Sequence, residues 1–196
     1  MKKHLIIGFV LAAFLFACKG EQHEKEIGEI NGLRAKLGKT DSLLKNVDQD
    51  MAERLGTEVK NNSQFIQFNI NKIGDTLDFK TALFLSNYKM LLEGFESVSE
   101  NGELLEVAVD STEKTLNDLE HDISNNSLAK GLTAEGSIKE EQEHVDEMYE
   151  YASRMRSTLA NVKASYDTLT PRVNEYMKTL NQRLAEKNAT APTKNK

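Results

Sequence analysis

The residues best suited to chemistry are a carboxylate and an imidazole three positions apart, Glu141 and His144. On a helix this spacing places both side chains on one face, where together they can bind a transition metal. His121 follows Asp118 at the same spacing and offers a second pair. A metal site or cofactor site between two helices is therefore one hypothesis. We predict instead that these side chains are solvated, with no metal and no cofactor, because His144 falls at the edge of the apolar stripe and no inward carboxylate completes the ligand set.

No other pattern in the sequence indicates catalysis. There is no glycine-rich phosphate loop, no nucleophile elbow and no pair of cysteines. With 39% hydrophobic residues, two Pro, no Trp and one Cys, the 196-residue chain has the composition of one ordinary domain. The composition argues against β-sandwich, collagenous and multi-pass membrane proteins. We expect a protein that is not an enzyme.

The N-terminus has the layout of a secretory signal peptide. Two lysines precede an apolar run of 13 residues from Leu5 to Ala17. This run is too short to span a bilayer, which requires about 20 residues. It ends in Leu15-Phe16-Ala17-Cys18, with a leucine three residues before the cysteine and a small residue directly before it. The motif resembles the lipobox of bacterial lipoproteins.

That resemblance implies removal of residues 1–17, a diacylglyceryl thioether on Cys18 and acylation of the new amine. Two or three acyl chains make a stable anchor, whereas one chain binds only marginally. Residues 18–26 would be a flexible tether. Lys19 is not the Asp that keeps many lipoproteins in the inner membrane, so the expected location is the outer membrane, facing the periplasm or the cell surface. The alternative is an ordinary signal peptide with a chance cysteine.

Four short segments resemble the triplet used for O-glycosylation of exported proteins in the Bacteroidota, which is Asp, then Ser or Thr, then an aliphatic residue or Thr. The segments are Asp41-Ser42-Leu43, Asp75-Thr76-Leu77, Asp110-Ser111-Thr112 and Asp167-Thr168-Leu169. The resemblance makes Ser42, Thr76, Ser111 and Thr168 candidate glycosylation sites. The alternative is that Asp, Ser and Thr gather at helix starts and turns, where their side chains bond backbone donors.

Apolar residues at spacings of three and four predict an α-helical body over residues 27–187. We expect helices at about 24–60, 63–99 with a break near Gly74, 105–125, and from Ser137 onward. Turns are predicted at 61–63, at 100–102 and across 124–137. Pro171 predicts a break near Thr170, because proline disrupts a helix interior. Residues 188–196 are expected to be a disordered tail.

These segments predict an all-α fold, an elongated up-down bundle of about four helices with coiled-coil-like packing. It resembles small helical lipoproteins of the Bacteroidota. The alternative is that two chains dimerise by packing the same apolar helix faces against each other.

The net charge of the chain argues against some classes of binding partner. Without Lys2 and Lys3 the 25 basic side chains fall to 23 against 31 acidic ones, a net charge of about -8. An acidic body argues against nucleic-acid binding, which requires clustered basic residues. We expect a non-enzymatic binding or structural module with a membrane contact through its anchor and a protein or envelope-polymer partner. A metal- or cofactor-binding bundle and a periplasmic chaperone-like or stress-response binder are the alternatives.

Overall fold

The computed structural model describes residues 23–74 and 76–190, and within these ranges it contains α-helices and no strand. The helices are α1 (Glu24–Lys45), α2 (Gln49–Ile73), α3 (Phe79–Asn125) and α4 (Ala134–Thr190). The predicted all-α bundle of four helices is confirmed. The signal segment and Cys18 lie outside the described residues. Helix α1 begins inside the predicted tether, and α4 continues through Thr190, past the predicted end of the bundle at residue 187.

The helices form two compact units, each built from three helical segments. Unit 1 contains residues 23–44 and 105–153, so it combines α1 with the second part of α3 and the first part of α4. Unit 2 contains residues 45–104 and 154–190, and combines α2 with the remaining parts of α3 and α4. Both long helices therefore contribute to both cores.

The predicted apolar stripes are the buried faces of the helices. A helix with apolar residues every three or four positions has one apolar face, and burying that face stabilises the fold. The residues of these stripes that are less than 2% exposed include Ile30, Leu37, Leu44, Phe95, Val98, Leu116, Ile123, Val145, Val173 and Leu180.

Polar side chains at the edge of unit 1 connect α1 to its two neighbours. Arg34 lies 2.6 Å from both Glu120 and Asn117 of α3. Lys36 forms an ion pair with Asp146 of α4 at 2.6 Å. These pairs are partly exposed, and each adds on the order of 1 kcal/mol to the packing of α1 against its neighbours.

Two helical glycines in unit 2 permit close helix packing. A Cβ on Gly94 of α3 would lie 2.5 Å from Val162 of α4, and one on Gly56 of α2 would lie 3.1 Å from the Cβ of Phe95. Glycine costs up to about 1 kcal/mol in a helix interior relative to alanine. Here that cost is offset by the closer approach of the neighbouring helix.

The first break in the helices lies at 46–48, and the predicted turn at 61–63 is wrong. Asp48 caps α2, since its side chain accepts from the backbone N–H of Met51 at 2.8 Å. Residues 61–63 lie inside α2, where Asn62 donates to the hydroxyl oxygen of Tyr88 at 3.1 Å. The amide that suggested a turn instead makes a contact between helices.

The second break follows Gly74, close to the interruption predicted there. Gly74 ends α2 in the left-handed conformation, with a φ of 74°. Asp78 then caps α3 by accepting from the backbone N–H of Lys80 and of Thr81. Its hydrogen bond from the Thr81 side chain is the main cause of a lowered pKa of the Asp78 carboxyl.

The turn predicted at 100–102 is also wrong, because α3 is helical throughout this stretch. Asn101 donates its side-chain amide to the carbonyl of Ser97 at 2.6 Å, one helical turn earlier. Gly102 packs against the side chain of Gln49. Local hydrogen bonding and packing therefore outweigh the turn propensity of these residues.

Two predictions about α4 are wrong. The helix begins at Ala134 and not at Ser137, because Thr133 caps it by accepting from the backbone N–H of Gly136 at 3.1 Å. The helix also continues through Pro171 without the predicted break. Val173 and Leu180 continue the buried stripe beyond the proline, so burial of this face offsets the lost hydrogen bond.

Leu116 and Leu104 on α3 provide a matched test of the buried stripe. Leu116 is 0% exposed, whereas Leu104 is 68% exposed. We expect Leu116→Ala to lower the free energy of unfolding by about 2–5 kcal/mol, and Leu104→Ala to change it by less than about 1 kcal/mol. Urea denaturation followed by circular dichroism measures both. Equal losses for the two variants would show that the stripe is not the core.

Candidate functional site

The candidate metal residues do not form a ligand cluster. The imidazole Nδ1 of His144 lies 3.9 Å from a carboxylate oxygen of Glu141, and the His144 side chain is 55% exposed. His121 is exposed and lies within 3.3 Å of the Asn125 amide of its own helix. Among residues 23–74 and 76–190, no three His, Cys, Asp or Glu side chains are grouped so that they could hold a metal ion. The Glu141 side chain is only 15% exposed, so of these two side chains that were expected to be solvated, only His144 lies largely in solvent.

The candidate lipidation residue, Cys18, lies outside the described residues, as does the apolar run before it. No helix within the described ranges has both the length and the apolar character needed to cross a membrane.

The four candidate glycosylation residues, Ser42, Thr76, Ser111 and Thr168, are exposed. Thr76 lies in the connection between α2 and α3, whereas the other three lie on helices. The Thr168 hydroxyl donates to the carbonyl of Ala164 at 2.9 Å. Glycosylation of these residues stays a prediction. Thr76 is the one of the four that lies outside a helix.

Unit 2 has a groove along the seam between α2 and α3. The two helices are joined by the short connection at 74–78, and two cavities follow each other along their seam. On α2 the lining runs from Ala52 to Ile70, which at 1.5 Å per residue corresponds to about 27 Å. We call this feature the α2–α3 groove.

The end of the α2–α3 groove near the connection is apolar. This cavity has a volume of about 240 Å³, and its apolar lining comes from Ile66, Ile70, Leu77, Ala82 and Leu85. Ser86 and Lys89 of α3 also line it. Small-molecule pockets usually enclose about 300–1,000 Å³, so this volume better suits one or two apolar side chains of a protein partner.

The other end of the α2–α3 groove is acidic. Its cavity of about 280 Å³ is lined by four glutamates and one lysine, namely Glu53, Glu96, Glu100, Glu103 and Lys60. Gly56 also lines it, where a Cβ would lie 3.1 Å from the Cβ of Phe95 on α3. A surface with this charge attracts basic side chains and repels acidic ones.

A cluster of buried hydroxyl groups lies beneath the α2–α3 groove. Tyr88 lines the groove and is 1% exposed. Its ring lies 6.4 Å from that of Tyr166 on α4, and Phe95 packs edge-on against Tyr166. The rings of Tyr88 and Phe95 on α3 contact Tyr166 on α4. Asn62 of α2 donates to the Tyr88 hydroxyl, so all three helical segments of unit 2 meet at this cluster.

Burial raises the pKa of both tyrosine hydroxyls. For Tyr88 the loss of solvation is the main cause, partly offset by the hydrogen bond from Asn62. For Tyr166 the loss of solvation is again the main cause, and its hydrogen bond to Glu58 raises the pKa further. Both hydroxyls therefore keep their protons at neutral pH and act as hydrogen-bonding groups within the core.

Sequence reasoning missed the α2–α3 groove. It placed Ile66 and Ile70 in the core stripe correctly, but it put a turn at 61–63 and another at 100–102, through the middle of the two helices that form the groove. The register of apolar residues continues across both predicted turns, from Leu55 to Ile66 and from Val98 to Leu105. That register argues against the two turns, but it does not show which helices are neighbours.

Comparison of the chain with protein-family models, curated proteins and solved structures finds no match.

The raised tyrosine pKa values predict a loss of stability in alkaline solution. An unfolded tyrosine ionises near pH 10, whereas the folded state retains the proton to higher pH. The unfolded state therefore binds fewer protons above about pH 10, and the free energy of unfolding falls as the pH rises. We expect Tyr166→Phe to reduce this alkaline slope, measured as melting temperature between pH 8 and pH 11.5.

Tyr151→Phe is the control, because Tyr151 belongs to unit 1 and lies outside the buried cluster. It should retain the slope of the unsubstituted protein. An unchanged slope in Tyr166→Phe would contradict the assigned role of this hydroxyl.

Proposed function

We propose that this chain is a lipid-anchored protein of the bacterial outer membrane that acts as a non-enzymatic binding module. The observation that carries the proposal is Leu15-Phe16-Ala17-Cys18, which places the chain's only cysteine directly after an apolar run of signal-peptide length. An anchor made of acyl chains holds a protein at the membrane without a spanning helix. The domain would face the periplasm or the cell surface.

The α2–α3 groove supports the binding part of the proposal. Its apolar end offers a site for one or two apolar side chains, and its acidic end offers four carboxylates to basic residues. A partner helix that presents apolar anchors on one turn and Lys or Arg two to three turns away would match both ends. We propose that the partner is an envelope protein with such a helix.

A chaperone-like binder is the second candidate function, favoured by large exposed apolar side chains. Phe79 is the first residue of α3 and is 79% exposed, and Phe68 follows the groove-lining Gln67 and is also exposed. Exposed apolar surface of this kind suits binding to many unfolded chains as well as to one partner.

The anchor is tested by cell fractionation of the full chain and of Cys18→Ser. We expect the unsubstituted protein in the outer-membrane fraction, released by detergent but not by high salt, because acyl chains hold it. Cys18→Ser should lose its membrane association by at least tenfold. Retention of Cys18→Ser in the membrane fraction would contradict the proposal. Protease treatment of intact cells then distinguishes the two faces, since digestion without lysis places the domain at the cell surface.

The groove is tested by site-specific photo-crosslinking in intact cells. A photoreactive residue at Ser86, in the apolar end, should give a discrete adduct, whereas the same residue at exposed Lys114 on α3 should not. One discrete adduct supports a dedicated partner, and a broad smear of many adducts supports the chaperone-like candidate. Equal adducts from both positions would contradict a role for the groove.

A further inference from the structure

The loop between α3 and α4 lies at the end of unit 1 where the chain enters the domain. His23 directly precedes α1, and its Nε2 lies 3.1 Å from the side-chain oxygen of Asn126. Asn126 is the first residue after α3, at the start of the loop at 126–133. The backbone carbonyl of His23 accepts from the N–H of Ile27, which fixes His23 to the first turn of α1. The position of the loop relative to the N-terminal entry is therefore defined by contacts.

The short stretch between Cys18 and His23 limits how far this end of unit 1 can be from the anchor. Five residues of fully extended chain span at most about 18 Å. A diacylglyceryl group on Cys18 places the sulfur at the membrane interface, so His23 must lie within this distance of it. Asn126 contacts His23, so with Cys18 acylated the start of the loop would lie near the same interface.

The loop presents an apolar side chain and a basic side chain beside each other at a tight turn. The N–H of Leu132 donates to the carbonyl of Ala129 at 3.0 Å, which closes a turn with Lys130 and Gly131 at its centre. Gly131 has a φ of 95°, a conformation that favours glycine. Leu132 is 58% exposed, and Thr133 then caps α4. The loop is thus held at both ends while its leucine remains in solvent.

We propose that the loop at 126–133 is a second membrane contact, in which Leu132 enters the boundary between headgroups and acyl chains of a phospholipid surface. The inference rests on the anchor proposed above. A single leucine is too small to bind a membrane alone, but an anchor within about 18 Å makes its insertion intramolecular and raises its effective concentration. Lys130 extends beside it toward the headgroup phosphates. The two contacts together fix which end of unit 1 faces the membrane.

The charges near the loop make apolar insertion the driving interaction. The ends of the helices around it carry Glu24, Glu26, Asp122 and Glu135 against Lys25 and Lys130. Anionic lipid repels an acidic protein surface, so the proposed membrane contact should not require anionic lipid. Independence from anionic lipid distinguishes insertion of Leu132 from electrostatic binding by a basic patch.

The test uses the full mature lipidated protein reconstituted into phosphatidylcholine vesicles. Because Cys18 is the only cysteine and its sulfur is held in the thioether, an introduced cysteine is the only free thiol. Leu132→Cys and the control Leu104→Cys, also a highly exposed leucine, are each labelled with an environment-sensitive fluorophore. Vesicle flotation and quenching by a lipid-borne nitroxide are then measured.

We expect both variants to float with the vesicles, and nitroxide lipid to quench the label at position 132 at least threefold more than at position 104. Replacing half of the lipid by phosphatidylglycerol should not increase the quenching. Flotation with equal quenching at both positions would overturn the loop contact and leave the anchor intact. Loss of flotation in both variants would overturn the anchor and the loop contact with it. Quenching that appears only with anionic lipid would overturn insertion through Leu132.

Discussion

Burial of one apolar face along α3 and α4 is the constraint on which the rest of the structure depends. The chain has a single cysteine and therefore cannot close a disulfide within itself, so helix packing stabilises the fold. Both long helices contribute to both units, with Phe95 and Leu116 as fully buried members of the stripe on α3. Helices α1 and α2 each cover one part of this stripe. The break at 46–48 separates them, and Val47 within that break is itself buried.

The periodicity of apolar residues was sufficient to predict the fold class and most of the core, whereas turn propensities misplaced several boundaries. Asn, Ser and Gly favour turns only when their side chains and backbone lack better partners. Asn62 donates to the hydroxyl oxygen of Tyr88, and Asn101 donates to the carbonyl of Ser97. Gly102 packs against the side chain of Gln49. Pro171 is tolerated because Val173 and Leu180 keep the same face buried beyond it. In each case a contact between elements, which local sequence rules do not contain, decided the outcome.

The same reasoning explains why the α2–α3 groove could not be read from the sequence. A groove depends on which two helices are neighbours, and the glutamates at 53 and 103 are fifty residues apart in the chain. The pair Glu141 and His144 was visible in the sequence because its members share one helix face, and the structure leaves His144 largely exposed. Local motifs are therefore the easiest to detect, but here the groove formed by distant residues carries the stronger argument for binding.

The proposed N-terminal anchor lies five residues before His23, whose contact with Asn126 joins the start of α1 to the α3–α4 loop. The orientation of unit 1 at a membrane and the contact at Leu132 that we propose both depend on acylation of Cys18 as the mature N-terminus. The most direct measurement is the intact mass and N-terminal fragmentation of the protein purified from its own membranes. We expect a chain that begins at Cys18 and carries a diacylglyceryl thioether. A chain that begins elsewhere, or that begins at Cys18 with an unmodified thiol, would contradict the proposed anchor.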